Sequence, residues 1–199
     1  MILEIHREHP EPRKIQRAID VLKSGGLVAY PTDTVYGLGC DITSKKAVER
    51  IYQAKRMKAD QPLAMICPDL GEIAKYGMVS DRAYRLMRRL TPGPYCFILE
   101  ATREAPRILQ MKRKTVGIRV PHDEVALALV RALGNPIVST TASREGDGLA
   151  DPHEIAEAFP SVDLVLDGGA GGLVPTTVLD LTGPDIVVVR EGAGPIDTL

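Results

Sequence analysis

Apolar residues recur every three or four positions in several parts of the chain, a spacing that predicts amphipathic helices. The first such segment begins at Pro12, which suits a first helical turn, and stops at Gly25 and Gly26. The same periodicity, preceded by a capping residue, predicts helices at 43–55, 80–90, 122–134 and 151–159, and a short one after Asp69.

Short apolar or β-branched runs, bounded by Gly and Pro, separate these helices and predict strands. They cover 27–30, 62–67, 95–101, 115–121, 136–141, 162–169, 176–182 and 185–192. Strands alternate with helices at first and dominate later, which favours a mixed sheet over a fully parallel one. No repeat or linker interrupts the pattern, so we expect residues 1–199 to form a single α/β domain.

The composition narrows the possible classes of protein. With 44% hydrophobic and 26% charged residues, the chain is typical of globular domains. No apolar run approaches the roughly 18 residues that span a bilayer, and the N-terminus lacks a secretory signal. We therefore expect a cytoplasmic protein with no membrane partner. The three cysteines and four histidines lack metal-ligand spacing, so no metal site is predicted.

The net charge of −1 conceals an uneven distribution. Residues 1–138 hold 23 basic against 15 acidic side chains, whereas residues 139–199 hold 2 against 11. The segment 103–119 alone has six bases and one acid. This distribution indicates either a surface that attracts phosphates or nucleic acid, or simply a solvated cationic face.

Hydroxyl and basic side chains stand at or just after the ends of several predicted strands. Examples are Thr32, Thr34 and Tyr36, Arg119 within 115–121, Thr141 and Ser143, Thr177, and Arg190. Ligands of open α/β sheets bind at strand ends, and Thr, Ser and Arg groups hydrogen-bond phosphates and carboxylates. Since an unpaired Arg is costly to bury, Arg119 indicates anion binding or a structural ion pair. The residues thus predict an anion-binding cleft suited to a nucleotide.

Other segments have less specific interpretations. The stretch "YPTDTVYGLGCD" (30–41) matches neither a P-loop nor a dinucleotide fingerprint, and Asp33 is expected to organise its own turn. Lys55 and Arg56, at a helix end, could simply complement the helix dipole. The glycine-rich "DGGAGGLVP" (167–175) contains no lysine and predicts a loop tip.

Several motifs together resemble the YrdC/Sua5/YciO family, in the order typical of that family. They are "YPTDTVYGLGCD", "AKRMKADQPL", "VGIRVP", "PIVSTTAS" and "TTVLDLT" followed by "VVREG". The basic approach to the "RVP" strand looks most like the YciO branch, and the chain is too short for the additional C-terminal domain of Sua5 proteins. The resemblance implies a twisted open mixed sheet with flanking helices around a large, basic, concave cavity.

The resemblance also implies an activity. Family synthases join L-threonine, bicarbonate and ATP, the last as its Mg²⁺ complex, into threonylcarbamoyl-AMP and pyrophosphate. Other proteins then move the threonylcarbamoyl group to adenosine 37 of tRNAs. The chain would accordingly be a nucleotidyltransferase of tRNA modification. The family likeness further suggests binding of tRNA or double-stranded RNA, for which Lys112, Arg113 and Lys114 are the candidate residues.

Matching the motifs residue by residue implies two groups of ligand contacts beside the phosphate-facing catalytic pair Lys55 and Arg56. The threonine side would comprise Thr32, Thr34, Tyr36, Arg119 and Thr177. The nucleotide side would comprise Lys55, Thr115, Thr141, Ser143 and Arg190.

The sequence departs from the synthase pattern in two places. Synthases typically read K-x-R, whereas this chain has Lys55, Arg56 and Met57, and the family's S-A-N becomes Thr141-Ala142-Ser143. Losing a cation that faces a triphosphate would slow synthesis. Two alternatives therefore remain open: a YciO-like paralogue that binds nucleotide or double-stranded RNA with weak or no synthesis, or a hydrolase of an acyl-adenylate.

Overall fold

Helices form where the apolar periodicity predicts them in the computed structural model, which describes residues 1–58, 61–111, 114–144 and 147–197. They are α1 (Pro12–Lys23), α2 (Lys45–Ala54), α3 (Leu70–Tyr76), α4 (Asp81–Leu90), α5 (Glu124–Leu133) and α6 (Pro152–Ala158), with a 3₁₀ turn at Arg107–Leu109. Most begin at a side-chain cap: Ser44, Asp69, Ser80, Asp123 and Asp151 each accept a hydrogen bond from a first-turn N–H.

The strands of the described residues form one large mixed sheet and one small hairpin. They are β1 (Ile2–Glu4), β2 (Val28–Tyr30), β3 (Gly37–Asp41), β4 (Ala64–Ile66), β5 (Gly77–Met78), β6 (Tyr95–Ala101), β7 (Thr115–Arg119), β8 (Ile137–Thr141), β9 (Ser143–Arg144), β10 (Asp147–Gly148), β11 (Leu164–Asp167), β12 (Thr177–Asp180) and β13 (Val187–Arg190). The sheet order is β1-β11-β2-β3-β8-β4-β7-β6-β12-β13, with β5 beside β6, while β9 and β10 pair separately. Parallel and antiparallel pairs both occur, which confirms the mixed α/β fold.

Strand β3 lies inside the motif 30–41, where the sequence pattern predicts no separate strand. Its alternating glycines conceal the strand, because glycine has low β-propensity. Both glycines leave room for the buried ring of Tyr30 from β2. A β-carbon at Gly37 would lie 2.8 Å from Tyr30 Cζ, and one at Gly39 would lie 2.8 Å from Tyr30 Cε1.

Helices cover the two faces of the sheet unequally. On one face, α1 and α5 pack against each other and against β2, β4, β8 and β11. On the other face, α2, α3, α4 and α6 contribute to the larger apolar core. Beyond α1 and α5, the first face has a row of paired residues, Ile98, Gly117, Ala64 and Ser139, that lines a cavity. The part of the sheet left open by the two helices is therefore where a ligand has access.

Among the helices in the described ranges, none is both long enough and apolar enough to cross a bilayer.

The space around Gly39 gives a test of the packing between β2, β3 and β8. In Gly39→Ala, the new methyl group would meet Ile137 Cγ2 at 2.5 Å as well as the Tyr30 ring. Overpacking of this kind costs about 1–3 kcal/mol. We expect the free energy of unfolding, measured by urea denaturation, to fall by that amount.

Gly183→Ala provides the matched control, since Gly183 is exposed and a β-carbon there has no neighbour within 4 Å. Its effect should stay within about 0.5 kcal/mol. Equal stability of the two variants would contradict the packing described for β3.

Candidate functional site

A cavity of about 580 Å³ opens on the uncovered part of the sheet. Its floor is apolar, and it leaves room for a ligand because Ala64 and Cys96 have small side chains and Gly117 has none. One wall is polar and carries hydroxyl groups and the guanidinium of Arg119. Of the sequence-predicted site residues, six line the cavity: Thr32, Thr34, Tyr36, Arg119, Thr141 and Arg190.

The turn between β2 and β3 forms the polar wall. Thr32 Oγ1 donates to the carbonyl of Val35 at 2.8 Å and accepts from the backbone N–H of Thr34 at 3.1 Å. The Thr32 and Thr34 hydroxyl oxygens lie 3.2 Å apart, and both residues are buried. These local bonds fix the turn, so that the Thr34 hydroxyl faces the cavity in one orientation.

Arg119 reaches this turn from β7, across the sheet. Its Nη1 donates to Thr34 Oγ1 at 3.0 Å, and its Nη2 donates to the carboxylate of Asp33. The side chains of Arg119 and Asp33 are only 8% and 13% exposed. Asp33 thus does more than organise its own turn, which is all that the sequence predicts for it: it is the counter-ion of the buried arginine.

Arg7 also supports the turn, and no sequence signal distinguishes it from the other bases of the N-terminal segment. Its Nη2 donates to the carbonyl of Thr32, and its Nε donates to Asp123 at 3.0 Å. Asp123 in turn accepts from the first-turn N–H groups of α5. Desolvation raises the pKa of Asp123 above its ordinary value. The turn is thereby tied to the first turn of α5.

The glycine-rich segment predicted as a loop tip packs tightly on the same turn. A β-carbon at Gly171 would lie 2.6 Å from Tyr36 Cδ2, and one at Gly172 would lie 2.7 Å from the carbonyl oxygen of Thr34. The Tyr36 hydroxyl donates to the carbonyl of Gly169 at 2.7 Å, and burial raises the pKa of Tyr36 to about 12. Tyr36 therefore serves this site as a neutral hydrogen-bonding group at physiological pH.

On the opposite side, Arg190 lies at the cavity edge. Its Nε and Nη2 donate to the carbonyl of Thr176, at 3.1 and 2.9 Å, and Nη2 also donates to Thr176 Oγ1 at 3.0 Å. Thr176 lines the cavity, whereas its neighbour Thr177 is fully buried and donates its hydroxyl to Gly194. The motif implies Thr177, but in this structure the hydroxyl on the cavity side belongs to Thr176.

Lys55 lies outside the cavity lining, at the end of α2. Its Nζ donates to the Ser143 carbonyl and to Ser143 Oγ, the latter at 2.9 Å, and lies 5.3 Å from the centroid of the Phe159 ring. Burial lowers the pKa of Lys55 from 10.5 to about 8. Lys55 and Ser143, two proposed nucleotide contacts, therefore bind each other here.

The remaining predicted residues lie away from the cavity or beyond the described residues. Arg56 is exposed and has a φ of 51°, while Thr115 is buried on β7 below Gly117 without lining the cavity. Lys114 is exposed; Lys112 and Arg113 lie outside the described residues. Within the described ranges, no group of three or more His, Cys, Asp or Glu side chains is arranged to hold a metal ion.

A second basic surface, which the sequence analysis did not identify, covers the solvent side of α4. Arg82, Arg85, Arg88 and Arg89 are exposed there, and Tyr84 is 46% exposed beside them. Only Arg82 has a carboxylate within 4 Å in the described part of the chain, that of Asp185 at 3.8 Å. Helical periodicity of the arginines alone could have revealed this surface.

The lowered pKa of Lys55 is testable by pH-dependent amine labelling followed by mass spectrometry. Burial disfavours the charged form of Lys55. In the folded protein its labelling rate should therefore reach half of its maximum near pH 8. In denaturant the midpoint should return toward 10.5. The unfolded state then binds the extra proton between pH 8 and 10.5, so this group's contribution to stability rises with pH over that interval. A folded-state midpoint near 10.5 would contradict the burial of this amine.

Comparison with known proteins identifies the family to which the chain belongs. A family model for Sua5/YciO/YrdC proteins, described as telomere recombination, matches residues 20–192. The chain is 44% identical over 196 residues to the uncharacterized protein YciO of Escherichia coli, covering 96% of this chain and 95% of YciO. The crystal structure of E. coli YciO matches with a TM-score of 0.94 and 42% identity, covering 98% of this chain and 97% of that one.

Proteins of Pyrococcus abyssi provide a second comparison. The chain is 34% identical over 197 residues to a threonylcarbamoyl-AMP synthase, covering 97% of this chain and 58% of the synthase. The crystal structure of P. abyssi Sua5 complexed with L-threonine matches with a TM-score of 0.93 and 32% identity, covering all of this chain and 59% of that one. The chain therefore belongs to the Sua5/YciO/YrdC family and is related to threonylcarbamoyl-AMP synthases.

Proposed function

We propose that this protein binds L-threonine and ATP in the cavity and forms threonylcarbamoyl-AMP, more slowly than its synthase relatives. The observation that carries the proposal is the buried Arg119, held against the Thr34 hydroxyl in the cavity wall. The relationship of the chain to threonylcarbamoyl-AMP synthases supports L-threonine as the ligand, as does its likeness to a Sua5 protein complexed with L-threonine.

The amino acid would bind at the polar wall. Arg119 would pair with its carboxylate, because a guanidinium matches a carboxylate in geometry and charge. Thr34, Thr32 and Tyr36 border the same wall and would limit the space for the side chain. The motif also implies Thr177 on this side; Thr176, with its hydroxyl at the cavity edge, is the better-placed neighbour.

The nucleotide would occupy the rest of the cavity. About 580 Å³ lies within the roughly 300–1,000 Å³ of sites that take drug-sized ligands, and an amino acid alone would fill little of it. Thr141 and Arg190 line this part. Thr115, Ser143, Lys55 and Arg56 stand farther away, so their implied roles require movement or an intervening contact.

The chemistry would be a nucleotidyl transfer with bicarbonate as the third substrate. Bicarbonate and the threonine amine give a carbamate with loss of water, and a carbamate oxygen then attacks the α-phosphorus of ATP. The α–β phosphoanhydride bond breaks, and pyrophosphate leaves with its charge shared by Mg²⁺ and nearby cations. The protein's contribution is positioning and electrostatic stabilisation.

The structure supplies a reason to expect slow synthesis. Lys55 is engaged by Ser143, and Met57 stands in the place of the family's second base. Thr140, which lines the cavity, has its hydroxyl 3.9 Å from Met57 Sδ. A basic side chain at position 57 would therefore border the nucleotide part of the cavity, whereas a thioether leaves phosphate charge uncompensated.

Pyrophosphate release tests the proposal. The purified protein, given MgATP and bicarbonate, should release pyrophosphate only when L-threonine is present, and Met57→Arg should raise that rate about tenfold or more, equivalent to about 1.4 kcal/mol of barrier. Met78→Arg adds a cation at a 60% exposed site and should leave the rate unchanged. Absence of threonine-dependent release from both the parent and Met57→Arg would contradict the proposal.

RNA binding is a second candidate function, favoured by the exposed arginines and Tyr84 on α4. Arginine side chains bind phosphates bidentately, and an exposed aromatic ring offers a stacking surface for a base. The sequence-predicted residues Lys112, Arg113 and Lys114 remain candidates for RNA contacts of their own. This candidate does not exclude the first, since α4 contributes no residue to the cavity lining.

Fluorescence anisotropy with a double-stranded RNA distinguishes a binding surface from a merely solvated one. Replacing Arg85, Arg88 and Arg89 by Glu should weaken binding and reduce the slope of log K against log salt by about one for each lost phosphate contact. The matched control replaces the exposed Arg13, Arg17 and Lys23 of α1 by Glu. Equal losses in both triple variants would reject α4 as the binding surface.

A further inference from the structure

The pair formed by Arg119 and Asp33 is unusual in what it leaves unbonded. Asp33 Oδ1 accepts from Arg119, but Oδ2 of Asp33 and Nε of Arg119 are both buried without a hydrogen-bond partner among the described residues. The other contact of the guanidinium is a neutral hydroxyl, that of Thr34. Asp33 is thus the single carboxylate within ion-pair distance of this cation in the described part of the chain.

The two partners come from distant parts of the sheet. Asp33 follows β2, whereas Arg119 ends β7, and β3, β8 and β4 lie between those strands. Ile66, which pairs with Arg119 in the β4–β7 ladder, has no side-chain group that hydrogen-bonds a guanidinium. Without Asp33, the long Arg119 side chain would keep only the Thr34 hydroxyl to fix its direction.

The charge of the pair matters as much as its direction. A cation with little solvent contact is costly to bury alone, and a carboxylate beside it removes most of that cost. It also leaves the wall with little net charge, while N–H donors of Arg119 remain for a ligand. Such a wall favours a singly charged carboxylate or a zwitterion over a multiply charged anion.

We propose that Asp33 is the positioning residue of this site: it holds the Arg119 guanidinium against Thr34 and balances its charge, so that the wall selects an amino acid over phosphate. The identity of the amino acid rests on the proposed function, but the role of Asp33 does not. Its effect is exerted through Arg119, and no contact between Asp33 and the ligand is invoked.

Chemical rescue tests the positioning role without any assumption about catalysis. In Asp33→Ala, formate should occupy the vacated place beside Arg119 and raise the melting temperature well above the shift seen with chloride at equal ionic strength. The parent protein, in which Asp33 already occupies that place, should show a smaller difference between the two salts than Asp33→Ala does. Asp163→Ala, which removes the carboxylate from the more exposed pair with Arg50, is the matched control and should show no formate-specific shift.

Asp33→Asn tests the charge balance and guards against misfolding of the alanine variant. Asparagine keeps an oxygen acceptor for Arg119 but no charge, so inorganic phosphate should stabilise Asp33→Asn against heat and leave the parent unaffected. Equal phosphate responses would overturn the charge-balancing role, and an absent formate effect in a folded Asp33→Ala would overturn the positioning role.

Calorimetric titration with L-threonine separates this inference from the proposed function. If the parent binds L-threonine, Asp33→Ala should weaken binding about 10- to 100-fold, the scale expected for disturbing a charge-assisted hydrogen bond, and formate should restore it. A folded Asp33→Ala that binds L-threonine as tightly as the parent would contradict the positioning role. If the parent does not bind L-threonine, the proposed function fails, while the formate and phosphate results still decide the role of Asp33.

Discussion

A guanidinium group buried in the wall of an open sheet is the constraint on which this site depends. Hydrogen bonds to Thr34 and Asp33 fix the direction of the Arg119 side chain. Thr34 and Asp33 are held in place by the hydrogen-bonded turn that joins β2 to β3. Breaking a buried ion pair by removing one partner typically costs about 3–5 kcal/mol. The geometry of the candidate ligand site therefore depends on both the turn and the sheet, and a change in either one would disturb the position of Arg119.

The two ends of the cavity differ in how completely they are prepared for a ligand. The polar wall, which is proposed to bind the amino acid, is fixed by internal hydrogen bonds, and the loop containing Gly171 and Gly172 packs against it. Near the part proposed to bind the nucleotide, Lys55 is bound to Ser143 instead of lining the cavity, and Met57 supplies no charge. Under the proposed function, this arrangement would bind the amino acid while offering less stabilisation of a triphosphate. The chain is similar both to YciO and to a threonylcarbamoyl-AMP synthase.

Sequence patterns were sufficient for the α/β fold and for six of the residues that line the cavity, because periodicity and strand ends are local properties. Sequence patterns were insufficient where the position of a side chain depends on a partner far away in the sequence. The pairing of Asp33 with Arg119 joins residues 86 positions apart, and that of Lys55 with Ser143 joins residues 88 apart. Strand β3 was not predicted because its glycines, which make room for the ring of Tyr30, have low β-propensity. Thr176 lines the cavity, whereas Thr177, the first residue of β12, is buried on the other side, and a motif match does not resolve such a one-residue difference.

Hydroxyl and basic groups from separate elements are proposed to form one site for an anionic small molecule. A ¹H–¹⁵N NMR titration of the protein with L-threonine measures this most directly. Amide shifts should change together in the turn at 32–36, at 117–119 on β7 and at 139–141 on β8, with a common saturation curve. Saturable shifts confined to other surfaces, or no shifts at all, would contradict the existence of such a site.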